Sequence, residues 1–340
     1  MLVATLTLHF AALRWFPRLG LLDFPERYGL QRPRLPYPTG ILVVFVFCVF
    51  FVFSVLLQPT EQAFGLIAGI VLLALTSFID DRTPLPSWVR LLVQIGVALI
   101  IFLSGTRIFS LTNPLESLTG IRVIPLDRFV IISQTFSNPS ILGALFTIAW
   151  LLLTTNALNW FDGIPGQVSV LSSIGFLTIG FLSLSARVHQ PSLALLAFIL
   201  ASIATATIFF HLPPPRMLMG DTGAMFFGLM LGVLTIYSGG KVATAFLVLG
   251  VPLIDLILVI IQRLWRRRPL TEGNAKDEHL HHRLLAKGWP PLQIILLTAL
   301  LGLLFGITAL FLSTSQKFIA ALILFLVMVG LFFYSRPEKS

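Results

Sequence analysis

Residues 141–166 read ILGALFTIAWLLLTTNALNWFDGIPG, and this stretch decides the fold class of the chain. Its first part, Ile141–Thr155, is apolar, carries no charge and approaches the ~20 residues that cross a bilayer. Its second part, Asn156–Gly166, brings in two amides, a carboxylate and a Gly-Pro-Gly break. Such polar groups are costly beside hydrocarbon. The stretch therefore predicts a membrane helix that leads into a site at the bilayer surface.

Apolar segments of this kind recur along the whole chain. Of its 340 residues, 56% are hydrophobic and 11% are charged, whereas about 25% are charged in a typical soluble domain. We therefore expect an all-α polytopic membrane protein with about 11 transmembrane helices, in which residues 1–340 form one membrane domain. The expected spans are Met1–Phe16, Gly40–Leu57, Ala63–Ile79, Val89–Leu103, Ile141–Thr155, Val168–Leu184, Pro191–Phe210, Ala224–Tyr237, Val242–Leu264, Leu292–Leu312 and Phe318–Tyr334.

The basic residues set the expected orientation of these spans. Lys and Arg favour cytoplasmic loops, and most of the 23 fall on one side when the amino terminus is placed outside. The protein is then expected to be a multi-pass protein of the cell's inner (plasma) membrane. The loops after the third, fifth, seventh and ninth spans lie in the cytoplasm. Topology and anionic lipid explain this positive charge, so the membrane is the expected partner and nucleic acid is not.

The outer loops are short except for Ser104–Ser140. Within this segment RIFSL (107–111) and IRVIPL (121–126) alternate weakly between apolar and polar residues. The alternation predicts a small β-hairpin on the outer surface.

Four polar motifs interrupt the apolar pattern, and the expected orientation places all four in the cytoplasm. They are FIDDR (78–82), NALNWFDGIPG (156–166), MGDTGA (219–224) and HLHH (279–282). Because their polar groups would be costly within the bilayer, their common side predicts one active site at the cytoplasmic face.

The first two motifs supply carboxylates and amides. Asp80 and Asp81 are adjacent, so their side chains diverge by about 100° on a helix. They suit metal binding or proton abstraction, although an ordinary helix-end pair also fits. Asn156, Asn159 and Asp162 recur every three residues near one helical face. Their oxygens are suitable ligands for Mg²⁺, and a capped helix end is the alternative.

The last two motifs supply an acid between glycines and a basic cluster. Asp221 stands at the entrance to the eighth span, where glycines let a backbone approach phosphate and a helix amino end favours an anion. Asp221 would hold a metal there, or would simply cap the helix. The final cytoplasmic loop combines arginines with HLHH. His279 and His282 share helical spacing, but no third clear ligand supports zinc, and a diphosphate fits the loop better.

In their order and spacing, the motifs resemble the polyprenyl-phosphate N-acetylhexosamine-1-phosphate transferases, a superfamily within glycosyltransferase family 4. The resemblance runs from LDFPERYGLQRPRLPYPTG (22–40) to HLHHRLLAKGWPP (279–291). HLHHRLL is similar to the bacterial undecaprenyl-phosphate GlcNAc-1-phosphate transferase-like branch. The muramoyl-pentapeptide phosphotransferase branch usually carries three consecutive histidines followed by Phe-Glu, which are absent here.

The resemblance implies a reaction at the membrane. An N-acetylhexosamine-1-phosphate, GlcNAc-1-phosphate in first place, passes from a UDP-sugar to undecaprenyl or another polyprenyl phosphate. The products are UMP and a polyprenyl-pyrophosphate sugar that starts a cell-envelope glycan, such as lipopolysaccharide or teichoic acid. Mg²⁺, or Mn²⁺ in its place, is the implied cofactor, and a homodimer is left open.

The resemblance also implies a role for each motif residue. Asp221 and Asn159 hold the metal, Asp80 with Asp81 deprotonates or orients the lipid phosphate, and Asp162 shapes the nucleotide pocket. The implied substrate-binding residues are Asn156, Gly163, Arg263, His279, His281, His282 and Arg283. Direct attack by the lipid phosphate is favoured over a covalent phospho-aspartate.

Two other functions compete with this interpretation. Eleven spans also suit a transporter or flippase, which commonly binds its substrate near mid-bilayer. Only Asp255 is a carboxylate deep in a span, and pairing within the bundle, for instance with Arg263, explains it. The second rival is a family member that has lost catalysis and serves as a scaffold.

Three positions depart from the family pattern. Relatives commonly have a polar residue at the position of Pro165, an aromatic one at Leu218 and a serine at Ala224. Proline has neither a side-chain acceptor nor a backbone donor. The departure at Pro165 therefore predicts weaker selectivity for the nucleotide base.

Overall fold

A computed structural model describes residues 1–28, 31–57, 59–113, 115–121, 123–126, 140–186, 188–239, 246–269 and 278–336. Each of the eleven expected spans coincides with a long helix. These helices are α1 (Leu2–Arg18), α2 (Gly40–Leu57), α3 (Glu61–Arg82), α4 (Ser87–Leu103), α6 (Ile141–Phe161), α7 (Gln167–Leu184), α8 (Pro191–His211), α9 (Asp221–Tyr237), α10 (Gly250–Trp265), α12 (Pro291–Phe311) and α13 (Thr314–Tyr334). Two short helices are α5 (Glu116–Thr119) and α11 (Leu280–Ala286).

The predicted all-α membrane class agrees with these helices. In the described part of the chain, six helices are long and apolar enough to cross a membrane, namely α3, α6, α7, α8, α12 and α13. Helices α2, α4 and α9 are also apolar, over the slightly shorter stretches Gly40–Leu56, Ser87–Leu103 and Asp221–Tyr237. The protein is thus a multi-pass membrane protein. The ninth expected span is interrupted: residues 246–248 are helical, Leu249 breaks the helix and α10 continues from Gly250, while residues 242–245 lie outside the described part.

Helix α9 occupies the centre of the bundle. Every residue from Thr222 to Ile236 is buried, and α9 packs against α2, α3, α6, α7 and α8. Its glycines allow close approach, because a Cβ on Gly228 would lie 2.6 Å from the Thr154 carbonyl oxygen of α6. The amino end of α9 therefore sits beside the carboxyl ends of α3 and α6.

The predicted β-hairpin is present, and its location on the outer surface stays a prediction. Strands β1 (Ser110–Thr112) and β2 (Val123–Pro125) pair antiparallel, with Leu111 opposite Ile124. The hairpin follows the carboxyl end of α4. Close by, the Thr106 hydroxyl donates to the Tyr237 hydroxyl at the carboxyl end of α9. The hairpin thus lies at the end of the bundle opposite the amino end of α9.

Candidate active site

Asp81 joins the first motif to the third. Its carboxylate accepts hydrogen bonds from the Asp221 amide (2.8 Å), the Thr222 amide (3.0 Å), the Thr222 hydroxyl (2.6 Å) and the Tyr37 hydroxyl (2.5 Å). The N-cap residue just before α9 is Gly220, which has no side chain to cap the helix. Asp81 supplies that cap from α3.

This geometry changes the role expected for Asp81. Both of its oxygens are committed to four donors, so they are not placed to deprotonate an incoming phosphate. The glycine is required beside it, because Gly220 has φ +79° and a Cβ there would lie 2.8 Å from Asp81 Oδ2. The predicted catalytic role of Asp81 is therefore replaced by a positioning role for the first turn of α9.

Asp80 points away from its neighbour, as the helical angle predicted. Its Oδ1 accepts from the Leu85 amide at 2.6 Å, and its Oδ2 lies 3.1 Å from Arg90 Nη1. The same guanidinium nitrogen lies 3.5 Å from Asp221 Oδ2. The four motifs do not include Arg90, and it was not among the predicted site residues. Its position in the first turn of α4, shortly after the DD pair, was the available signal.

Asp221 is the first residue of α9 and does not cap the helix with its side chain. The alternative interpretation of Asp221 as a simple cap is therefore wrong. The side-chain amide of Asn159 lies beside the Asp221 carboxylate, and its nitrogen is buried with no hydrogen-bond partner among the described residues. Burial raises the pKa of Asp162 well above its ordinary value, with smaller contributions from the charges of Asp221 and Asp81. The expected three-residue spacing thus brings Asn159 and Asp162 to Asp221.

The donor set around Asp221 fits Mg²⁺. A carboxylate and an amide supply hard oxygens, and Mg²⁺ is commonly bound by one or two protein groups together with waters and substrate phosphates. Among the described residues, no three His, Cys, Asp or Glu side chains are placed to hold a metal by themselves. A cation at Asp221 and Asn159 would therefore take its remaining ligands from a phosphorylated substrate and water.

Asn156 is the exception among the amides of the second motif. Its side chain forms a reciprocal pair with Gln94 of α4, with distances of 2.7 and 3.3 Å. It also donates to the Leu152 carbonyl at 2.9 Å. Its predicted substrate contact is therefore not supported, since its amide is used in joining α6 to α4.

His281 of the last motif meets the second motif at Gly163. A Cβ on Gly163 would lie 1.9 Å from His281 Nε2. Neither ring nitrogen of His281 has a hydrogen-bond partner within the part of the chain that the structure describes. Burial lowers the pKa of His281 well below its ordinary value, and His282 and His279 lower it further. The lowered pKa favours the neutral ring, which offers one donor and one acceptor.

His279 is oriented by the carboxylate deep in α10. His279 Nδ1 lies 2.7 Å from Asp255 Oδ2, while Asp255 Oδ1 accepts from the Leu280 amide at 2.9 Å. Asp255 thus caps α11 and holds His279. The expected partnership of Asp255 with Arg263 is wrong. His279 also stacks on His281 at 5.6 Å between ring centroids, and His282 is half-buried beside them at 4.2 Å from His281.

The two arginines predicted to bind substrate are structural. Arg263 is 1% exposed, donates from Nε to Glu278 Oε2 at 2.9 Å and lies over the Trp160 ring. Arg283 donates to Gln262 at 3.1 Å and covers the Phe332 ring at 3.9 Å. Both predictions are corrected for the same reason: each guanidinium is buried and holds the last loop to the bundle. Sequence reasoning did not identify Glu278.

Comparison with known proteins assigns the chain to a family. Residues 63–239, just over half of the chain, match the sequence model of glycosyl transferase family 4. The chain belongs to this family. Membership in glycosyl transferase family 4 confirms the resemblance inferred from the four motifs, three of which lie within the matched residues.

Three relatives are similar to this chain over most of their own length. A probable undecaprenyl-phosphate N-acetylglucosaminyl 1-phosphate transferase of Bacillus subtilis is 27% identical over 92% of this chain and 83% of its own length. The undecaprenyl-phosphate alpha-N-acetylglucosaminyl 1-phosphate transferase of Escherichia coli K12 is 24% identical over 99% and 89%. A phospho-N-acetylmuramoyl-pentapeptide-transferase of Granulibacter bethesdensis is 29% identical over 81% and 78%.

Proposed function

We propose that this chain transfers an N-acetylhexosamine-1-phosphate, GlcNAc-1-phosphate in first place, from a UDP-sugar to undecaprenyl or another polyprenyl phosphate. The reaction yields UMP and a polyprenyl-pyrophosphate sugar that initiates a cell-envelope glycan. One observation carries the proposal: Asn159, Asp162 and Arg90 lie close to Asp221, and Arg90 also lines a small groove between α3 and α4. The names of two relatives, from B. subtilis and E. coli, support the choice of sugar.

The surroundings of Arg90 support a lipid acceptor. The groove between α3 and α4 is small, about 10 Å³, and has Asp80 and Arg90 at its polar end and Leu73 and Met225 along its wall. The residues next to it are mostly apolar and closely packed, namely Leu73, Val97, Ala98, Leu151, Leu152 and Leu229. A charged group beside an apolar surface suits the head of a polyprenyl phosphate.

The protein groups divide the work of transfer. Asp221 and Asn159 would hold Mg²⁺, which when bound neutralises charge on the diphosphate. Arg90 lies where it can hold the acceptor phosphate at the mouth of the groove. Asp162, with its raised pKa, is better suited than Asp81 to take a proton from that phosphate, because both Asp81 oxygens cap α9. His281 offers neutral hydrogen bonds to the sugar or nucleotide.

Radiolabel transfer from UDP-GlcNAc into extractable lipid by purified protein tests the activity. Asp221→Asn is expected to abolish transfer while leaving expression and membrane insertion unchanged, and excess EDTA is expected to abolish wild-type transfer. Glu116→Gln, on the hairpin at the opposite end, serves as the control that keeps activity. Full activity of Asp221→Asn, or undiminished activity in EDTA, would refute the metal assignment.

The proposal places the site in the cytoplasm of a protein that crosses the inner membrane eleven times. Single cysteines at the exposed positions Thr83 and Lys287 are expected to resist an impermeant thiol reagent in intact cells and to react in inverted vesicles. Gln190, exposed at the opposite end, is the matched control and is expected to react in intact cells. All three are made in a Cys48→Ser background. Labelling of Thr83→Cys from outside contradicts this orientation.

The competing functions predict other outcomes of the same assay. A muramoyl-pentapeptide phosphotransferase would label lipid only from UDP-muramoyl-pentapeptide, as the G. bethesdensis relative suggests. A flippase or scaffold would transfer neither sugar. A transporter would need a polar group deep in a span to bind its substrate, and Asp255 was the candidate. Its carboxylate instead binds His279 and the Leu280 amide. All the site residues come from one chain, and a homodimer stays a prediction.

A further inference from the structure

Arg90 bridges two carboxylates that belong to different parts of the site. Its Nη1 lies 3.1 Å from Asp80 Oδ2 and 3.5 Å from Asp221 Oδ2. The two contacts are unequal in burial as well as in length, since the Asp80 side chain is 7% exposed and that of Asp221 is 31% exposed. Asp80 is also fixed by the Leu85 amide. The contact to Asp221 is therefore the weaker of the two.

We propose that Arg90 competes with the divalent cation for Asp221, pivots on Asp80 when the cation binds, and then holds the acceptor phosphate. The competition follows from charge: a guanidinium and a divalent cation cannot both lie close to one carboxylate without repulsion. The pivot follows from the geometry, because the buried Asp80 contact persists when the exposed Asp221 contact opens. The final step rests on the proposed function, whereas the competition for Asp221 does not.

The destination of the guanidinium is the mouth of the groove. Arg90 is 32% exposed and lines the space that runs between α3 and α4. A guanidinium held by one carboxylate keeps donors available for a second anion, and its planar fork matches a phosphate. Cation binding would thus release Arg90 for the lipid phosphate, so that the acceptor is engaged only when the cation is in place.

This exchange predicts effects of opposite sign on cation binding and on transfer. Without the guanidinium, Asp80 and Asp221 keep their negative charge and attract a divalent cation more strongly. The acceptor phosphate, in contrast, loses its partner. Arg90→Gln is therefore expected to bind the cation at least tenfold more tightly and to raise the KM for polyprenyl phosphate at least tenfold. An arginine that only stabilises the site predicts weaker cation binding on removal.

Mn²⁺ binding to purified protein, measured from the electron paramagnetic resonance signal of free Mn²⁺ without UDP-sugar, tests the proposal directly. Arg82→Gln is the matched control, since Arg82 donates to the Gly20 carbonyl at 3.0 Å rather than to Asp221. Its Kd is expected to stay within about threefold of wild type. Tighter binding by Arg90→Gln, abolished on adding Asp221→Asn, supports the exchange. Unchanged or weaker binding overturns it.

A second variant covers the case in which Arg90→Gln does not fold. Arg90→Lys keeps the charge on a shorter side chain, so its ammonium is expected to stay with the nearer Asp80 and to lie farther from Asp221. Its Mn²⁺ affinity is expected to lie between those of wild type and Arg90→Gln, and an affinity no tighter than wild type overturns the proposal. Failure of all sugar transfer, with the Mn²⁺ results as expected, would refute the proposed function while leaving the cation competition standing.

Discussion

Gly163→Ala is expected to disrupt the contact between the second and fourth motifs. Gly163 is not among the glycines with positive φ, so its backbone accepts alanine. The obstacle is His281, because the new Cβ would lie 1.9 Å from Nε2 and 2.5 Å from Cδ2. Favourable carbon contacts begin near ~3.5 Å. The imidazole would therefore have to move by roughly 1.5 Å.

The surroundings of His281 leave little room for that movement. The ring meets His279 at 5.6 Å, Phe161 at 6.0 Å and His282 at 4.2 Å between centroids. Overpacking of this kind typically costs about 1–3 kcal/mol. Gly163→Ala should therefore lower the unfolding temperature in detergent and reduce transfer from UDP-GlcNAc.

Two matched variants make this prediction refutable. Gly330→Ala, where a Cβ meets no described atom within 4 Å, is expected to leave stability and transfer unchanged. Adding His281→Ala to Gly163→Ala is expected to restore the unfolding temperature but not the transfer, because the clash is removed with the ring. If Gly163→Ala alone unfolds at the wild-type temperature and keeps full activity, the close contact between Gly163 and His281 contributes neither to stability nor to transfer.

Three further predictions follow from the site. Asp81→Ala is expected to lower the free energy of unfolding by about 1.5–3 kcal/mol, because the hydrogen bonds from its carboxylate that cap α9 are lost. Asp221→Asn, in contrast, should unfold at the wild-type temperature. If the two variants were equally stable, the capping role of Asp81 would be contradicted. His281 should make the protein less stable as the pH falls below about 6.5, because the unfolded chain takes up a proton that the folded chain, with its lowered pKa, does not. A thermal unfolding series in which His281→Gln removes up to about 1.4 kcal/mol per pH unit of this slope would confirm it, and an unchanged slope would disprove it. Pro165→Asp should sharpen the preference for UDP- over TDP- and CDP-linked N-acetylhexosamines, since one recovered hydrogen bond to the base is worth about 1–3 kcal/mol of discrimination. A wild type already as selective as its relatives, with no gain in the variant, would exclude this position from base recognition.

The helical membrane class, the positions of the long helices and the β-hairpin could all be predicted from the amino-acid sequence. These features depend on local sequence. Polar groups are costly in hydrocarbon, so an uninterrupted run of apolar residues directly predicts a membrane helix. The common location of the motifs could also be predicted from the sequence. FIDDR and MGDTGA meet through Asp81 and Thr222, and DGIPG meets HLHH at Gly163.

The partner of each polar side chain, in contrast, could be identified only from the tertiary structure. Asp80 and Asp81 are adjacent in sequence, yet one faces Arg90 and the other caps α9, 140 positions along the chain. Arg263 selects Glu278 rather than Asp255. A buried charge needs a close partner, but the packing of distant helices determines which groups come within hydrogen-bonding distance. Spacing along a single helix carries no information about that packing.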